Sequence, residues 1–229
     1  MLKDLANNKI DGLFVISGEK LISEIPKSYE IVAYARTPDY TTPLPAEVIG
    51  SSLMKRLTET VTPPGIIAVC RQKKYSPQEV ISSSGAFVLV CEEISDPGNL
   101  GTMLRSALAF GAAGVILTKG CADLHSQKVI RASAGAFMHM PIYANADLTK
   151  LDMPIYAADP HGDYTPADVD FSKKFALVIG NEARGLSSYA KQMADCLVRI
   201  PMAGGESLNA AVAAGILMYE ATQMRSVRL

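Results

Sequence analysis

Short apolar runs recur along the chain, and what separates them changes near residue 85. In the first 71 residues, LFVIS (13–17), IVAYA (31–35) and IIAVCR (66–71) predict strands, while SSLMKRLTE (51–59), apolar on one side, predicts a helix. From residue 86 the alternation is regular. AFVLVCEEI (86–94), GVILT (114–118) and MPIYA (140–144) predict strands, with helices over 100–110 and 125–137 between them. PIYAAD (154–159), FALVIG (175–180) and CLVRIP (196–201) continue the series, and a long helix is expected from about Ser207 to Arg225. Strands apolar throughout and separated by helices imply a mostly parallel sheet covered on both faces. The fold class is therefore α/β, with a small domain over 1–71, a polar linker over 72–83 (boundary near Ser82) and a larger domain over 84–229. Alternation alone draws an open doubly wound sheet, because threaded chains are very rare.

Composition narrows the function classes. Basic residues number 22 against 23 acidic ones, a formal net charge of −1, so no broad electrostatic attraction to DNA, RNA or anionic lipid is expected. Nucleic-acid contact must be local, and Arg71, Lys73 and Lys74 form the densest basic spot. Cys70, Cys91, Cys121 and Cys196 form no CxxC pair and read as reduced thiols, mostly within apolar strands. His125, His139 and His161 are scattered, so no metal site is expected. MLKDLANNKIDG lacks the order of a secretory signal, and no apolar run approaches the ~20 residues that cross a bilayer. A cytoplasmic protein without a membrane partner is expected.

Three loops at predicted strand ends carry the candidate chemistry, since ligands of parallel sheets bind outside the C-terminal strand ends. Asp96-Pro97-Gly98-Asn99-Leu100-Gly101 turns into a helix bearing Arg105, and Asn99 is read as its N-cap. Gly180-Asn181-Glu182-Ala183-Arg184-Gly185-Leu186-Ser187 places a carboxylate between two glycines, with Ser187 able to cap a helix starting after it. Ile200-Pro201-Met202-Ala203-Gly204-Gly205-Glu206-Ser207-Leu208-Asn209 ends a strand at proline and leads into a helix rich in small residues. Taken singly, each is also an ordinary connection: a capped helix start, a helix entrance, a close-packed core helix.

Together, in this order, DPGNLGTMLRSALAFGAAGVIL, ALVIGNEARGLS and RIPMAGGESLNAAVAA resemble motifs 1, 2 and 3 of the SpoU (TrmH-like) family of RNA 2′-O-ribose methyltransferases, in the SPOUT superfamily. The resemblance covers about residues 84–225. Residues 1–71, with TPPGIIAVC near their end, resemble the L30e-like RNA-binding domain that often precedes the catalytic one, and the chain start implies a shortened copy. The family is an exception to the rule against threading, so the resemblance implies a trefoil knot. It also implies a homodimer with sites near the subunit interface, S-adenosylmethionine as methyl donor without a metal, and RNA as substrate, ribosomal before transfer RNA.

By this similarity the donor site is assigned to Thr118, Gly180, Asn181, Gly185, Ile200, Met202, Ser207, Leu208 and Asn209, in the loops after 114–118, 175–180 and 196–201. The catalytic set is Arg105, Asn99, Glu182, Ser207 and Asn209. Glu182 is expected to orient or neutralise Arg105, and Ser207 and Asn209 to shape the pocket. Arg105 stands either as a base for the 2′-hydroxyl or as a clamp on phosphate or oxyanion, the clamp being physically easier for a group that stays protonated. Two rival readings are a non-catalytic RNA-binding relative, which missing motif residues would favour, and a Rossmann-type oxidoreductase, which the absent G-x-G-x-x-G disfavours.

Overall fold

The computed structural model describes residues 1–7, 10–146 and 151–226 of the chain; the expected larger domain's last three residues lie outside these. Among the described residues, ten strands form two sheets. The first, in the order β1-β4-β2-β3, contains β1 (Leu13–Ser17), β2 (Ile31–Arg36), β3 (Ala46–Val48) and β4 (Ile66–Arg71). β4 lies antiparallel between β1 and β2, and β3 joins the edge in parallel. Because side chains alternate across a strand, Val15, Ile67 and Val69 pack under α3 (Ser51–Thr58), and α1 (Leu2–Leu5) adds Leu2 to the same layer. Phe14, Ile16, Ile66, Ala68 and Cys70 point the other way, joined by Ile22 of α2 (Glu19–Ser23).

The second sheet is entirely parallel, in the order β10-β8-β9-β5-β6-β7. Its strands are β5 (Phe87–Cys91), β6 (Gly114–Thr118), β7 (Ile142–Ala146), β8 (Ile155–Ala158), β9 (Phe175–Ile179) and β10 (Cys196–Val198). Every side chain of β5 and β9 is buried, as continuous apolar runs require in a sheet covered on both faces. Phe87, Leu89, Phe175 and Leu177 face α5 (Pro97–Ala109), α6 (Gln127–Ser133) and α8 (Ala210–Ser226). Val88, Val90, Ala176 and Val178 face α4 (Pro77–Ser82) and α7 (Ser188–Met193).

The segment expected to be a polar linker carries α4. Its start is a reciprocal capping box, in which Ser76 Oγ accepts from Glu79 N at 3.3 Å and Ser76 N donates to Glu79 Oε2 at 2.7 Å. Val80 is buried beneath it, against the parallel sheet.

The inner face of the first sheet does not end at a domain boundary. Phe14 packs on the His125 ring at 4.9 Å and on Phe137 at 5.5 Å between centroids. Gln127 Nε2 donates to Val15 O at 2.8 Å, and Arg131 Nη1 donates to Thr58 O at 2.9 Å. One apolar core thus runs from the small sheet through α6 into the large one. Burial in this seam holds His125 at a pKa of about 4, so the imidazole sits there neutral.

Candidate functional site

β8, β9 and β10 are neighbours, so the loops leaving their C-terminal ends converge. They enclose a cavity of about 360 Å³. Gly180, Asn181, Glu182 and Gly185 line it from the loop after β9, and Ile200, Met202, Ser207 and Leu208 from the segment after β10. The loop after β9 is folded tightly: Gly185 N donates to Asn181 O at 2.9 Å, and Asn181 Oδ1 accepts from Ala183 N and Arg184 N at 3.0 and 3.1 Å. Gly180 allows this closure, since a Cβ there would lie 2.5 Å from the carbonyl carbon of Gly185 and from Leu186 N. Ser187 caps α7 by accepting from Ala190 N at 3.0 Å, and its Oγ donates to the buried Glu92 at 2.5 Å, which pins the loop to the end of β5.

From Glu182 in the cavity wall a chain of amides links all three motifs, although Asn99 and Asn209, the latter expected at the donor site, do not themselves line the cavity. Asn209 Nδ2 donates to Asn99 Oδ1 at 3.0 Å, and Asn99 Nδ2 donates to Glu182 Oε1 at 3.1 Å. Glu182 also accepts from Ser95 N, Ser95 Oγ and Asp96 N at 3.1–3.3 Å. Partial burial alone would raise its pKa; hydrogen bonds, those from Asn99, Asp96 and Ser95 among them, outweigh this and hold the carboxyl below its ordinary value. Asn209 Oδ1 meanwhile accepts from Ala211 N and Val212 N at 2.9 and 3.2 Å, so α8 begins after Asn209 and not near Ser207.

Three expectations are corrected here. Asn99 does not cap α5: Asp96 does, its Oδ1 accepting from Asn99 N at 2.7 Å with Pro97 at the first helical position, which leaves the Asn99 amide free to reach Glu182. Thr118 lies outside the cavity, because β5 separates β6 from β9; its hydroxyl accepts from Glu93 N at 3.0 Å instead. Glu182 does not pair with Arg105: in this loop the ion pair is Arg184 with Glu93. Arg105 itself is exposed on α5 and lines a different groove, between α2, α5 and α6.

In place of the loop after β6, the loop after β8 completes the cavity. Asp159 is buried, ion-paired with Lys191 at 2.6 Å, and accepts from His161 N at 2.8 Å; all three residues line the wall. Burial alone would raise the Asp159 pKa, but the bonds from Lys191 and His161 lower it. The sequence carried a signal for this loop, since Asp159-Pro160-His161-Gly162 is a turn sequence directly after a predicted strand.

Comparison with known proteins places this arrangement. The 23S rRNA (guanosine(2553)-2′-O)-methyltransferase RlmP of Bacillus subtilis is 33% identical over 220 residues, covering 90% of this chain and 87% of that protein. The 23S rRNA (guanosine-2′-O-)-methyltransferase RlmB of Xylella fastidiosa is 35% identical over 170 residues, 70% of this chain and 68% of that protein. Among solved structures, the SpoU methyltransferase AviRb of Streptomyces viridochromogenes in complex with AdoMet superposes with a TM-score of 0.86 at 27% identity, over 98% of this chain and 96% of that one. An AdoMet-bound rRNA methyltransferase from Sinorhizobium meliloti gives 0.83 at 28% identity, over 97% and 93%. The family model for the SpoU rRNA methylases matches residues 86–219, a span that holds the parallel sheet, all three loops and the amide chain joining them, and the chain belongs to that family.

Proposed function

We propose that the chain transfers a methyl group from S-adenosylmethionine to a ribose 2′-hydroxyl of RNA, ribosomal before transfer RNA, and does so in the cytoplasm as a homodimer. The observation that carries this is the cavity at the ends of β8, β9 and β10, with Glu182 of its wall linked through Asn99 to Asn209. Its volume of about 360 Å³ is on the scale of small-molecule sites. Backbone of the two glycine-bearing loops offers donors and acceptors to an adenine ring, Leu186, Ile200 and Leu208 offer apolar wall, and Glu182 supplies negative charge suited to a sulfonium. The residues present fit the donor, which when bound supplies an electrophilic methyl group. Among the described residues no His, Cys, Asp and Glu are grouped as a metal site.

Transfer is an in-line displacement, so the chain's task is to align an oxygen with the methyl carbon and to stabilise the charge that oxygen develops. Glu182 is saturated with hydrogen bonds, which suits it to fixing Asn99 and the start of α5 and not to taking a proton. Asn209 and Ser207 shape the mouth. Arg105 faces the groove and not the donor cavity, a position that favours the clamp: its fork would hold the phosphate beside the target ribose, helping that phosphate or a water to receive the proton. The family's trefoil knot belongs to this reading, as does the assignment of residues 1–71 as an L30e-like RNA-binding domain joined by 72–83 to the catalytic domain at 84–229. The presence of Asn99, Arg105, Glu182, Ser207 and Asn209 favours an active enzyme over a non-catalytic relative. Incubation with labelled S-adenosylmethionine and RNA from cells lacking the gene, followed by mapping of the ribose methyl, tests the proposal; binding of a nicotinamide in place of the donor would sink it.

The dimer is supported by α8. Val212 and Tyr219, seven residues apart and so on one side of the helix, are 50% and 49% exposed. An isologous contact would bury this face. Light scattering at micromolar concentration is expected to give twice the chain mass, and a Val212→Glu/Tyr219→Glu protein is expected to be monomeric; a parental monomer of full activity would count against the assignment.

A further inference from the structure

In a chain with a net charge of −1, one groove collects cations from both halves of the molecule. It is about 530 Å³ and runs between α2 of the small sheet and α5 and α6 of the large one. Lys20 lines it from α2, Arg105 from α5 and Arg131 from α6, with the His139 imidazole beside them from the short turn after α6 and a single carboxylate, Glu24. Among the described residues the side chains of Lys20 and Arg105 make no hydrogen bond or ion pair, so their charges are available, whereas Arg131 is steadied by its bond to Thr58 O. Leu108, more than a third exposed, gives the groove an apolar strip.

We propose that this groove is the track on which the sugar–phosphate strand of the RNA substrate lies, with Lys20 and Arg131 holding phosphates next to the one held by Arg105. The assignment rests on the methyltransferase reading above and adds to it the residues that select and position the strand. The ligand class follows from the chemistry. Exposed cations with one acid among them attract a polyanion, and an apolar strip between them suits a ribose or base edge. The geometry adds a constraint, because the cations stand on helices packed against two different sheets that share one core, so only a strand that bridges both meets all of them. Lys20 is thereby a positioning residue some distance from the donor loops, on an element that none of the three motifs includes.

The test uses the full chain, labelled S-adenosylmethionine and total RNA from cells lacking the gene. Lys20→Glu is compared with Lys55→Glu, an exposed lysine of α3 outside the groove, and with the double variant Lys20→Glu/His139→Glu. For Lys20→Glu the KM for RNA is expected to rise at least about tenfold, with donor affinity unchanged and the salt dependence of RNA binding shallower by roughly one unit of slope. The double variant is expected to lose more, and Lys20→Arg to stay within about twofold of the parent. Lys55→Glu is expected to stay within about twofold as well. An unchanged KM in Lys20→Glu, or an equal loss in Lys55→Glu, overturns the track. A change in the monomer–dimer balance of Lys20→Glu without loss of RNA binding overturns it in favour of a contact between chains. A parental protein that binds the donor yet methylates no RNA overturns the underlying reading instead.

Discussion

Arg105→Ala is expected to lower the single-turnover methylation rate by at least about a hundredfold, the range seen when a positioned electrostatic or proton-transfer aid is lost. Donor affinity is expected to stay within about twofold, because Arg105 lines the groove beside α2 and not the cavity formed by the loops after β8, β9 and β10. Folding is expected to be unaffected, since the side chain is exposed and makes no bond that α5 depends on. Arg105→Lys separates geometry from charge. A planar fork that grips a phosphate in two places is not replaced by an ammonium, so this variant is expected to be nearly as slow as alanine; substantial rescue would reduce the role to charge alone. The measurement is single-turnover rate against donor affinity for each variant. An Arg105→Ala protein that binds RNA and methylates at the parental rate would remove Arg105 from the mechanism.

Gly180→Ala is expected to do the opposite, weakening donor binding while leaving the RNA track in place. The added methyl would stand 2.5 Å from the carbonyl carbon of Gly185 and from Leu186 N, both backbone atoms that cannot swing aside. The loop must open to admit it, which breaks the Gly185 N to Asn181 O bond and shifts Glu182 away from Asn99. Overpacking of this kind costs roughly 1–3 kcal/mol, which corresponds to a fall of several degrees in Tm for a chain of this size. Donor affinity is expected to drop at least about tenfold, read by calorimetric titration. Gly204→Ala is the control: nothing lies within 4 Å of the added carbon, so Tm and affinity are expected to stay near parental values. Parental donor affinity in Gly180→Ala would mean that the donor binds elsewhere.

Much of the large sheet was legible because β5 and β9 are buried on both faces and so read as unbroken apolar runs. The short elements were not. α2, β3 and α4 have three to six residues each, too few for a period to show, and tertiary contacts hold them in place, whereas α7, equally short, is announced by its cap Ser187. α4 had a readable signal in Ser76 and Glu79, masked by the serines at 82–84. At the start of α5 two residues of cap-forming type, Asp96 and Asn99, competed; Pro97, suited to the first helical position, decides for Asp96.

The candidate site shows the same division. Glycines and a carboxylate at strand ends pointed to the loops after β9 and β10, because close backbone approach demands those residue types. Which strands are neighbours was not legible, since periodicity says nothing about sheet order. That is why Asp159, His161 and Lys191 escape a reading of the sequence; Thr118, at the end of β6, enters only through the family resemblance. The resemblance supplied the roles of Asn99 and Asn209, but the bond between them, spanning 110 residues of sequence, is visible only in three dimensions.

The seam where Phe14 meets His125 and Phe137, and where Gln127 bonds Val15, makes the small sheet something other than a tethered adaptor. A flexible tether lets a recognition module search for its ligand while the catalytic module waits; a welded one acts as a ruler. RNA gripped beside α2, as proposed, would be presented to the donor loops at one fixed span and angle, so that a nucleotide would be chosen by its distance along the strand from the grip.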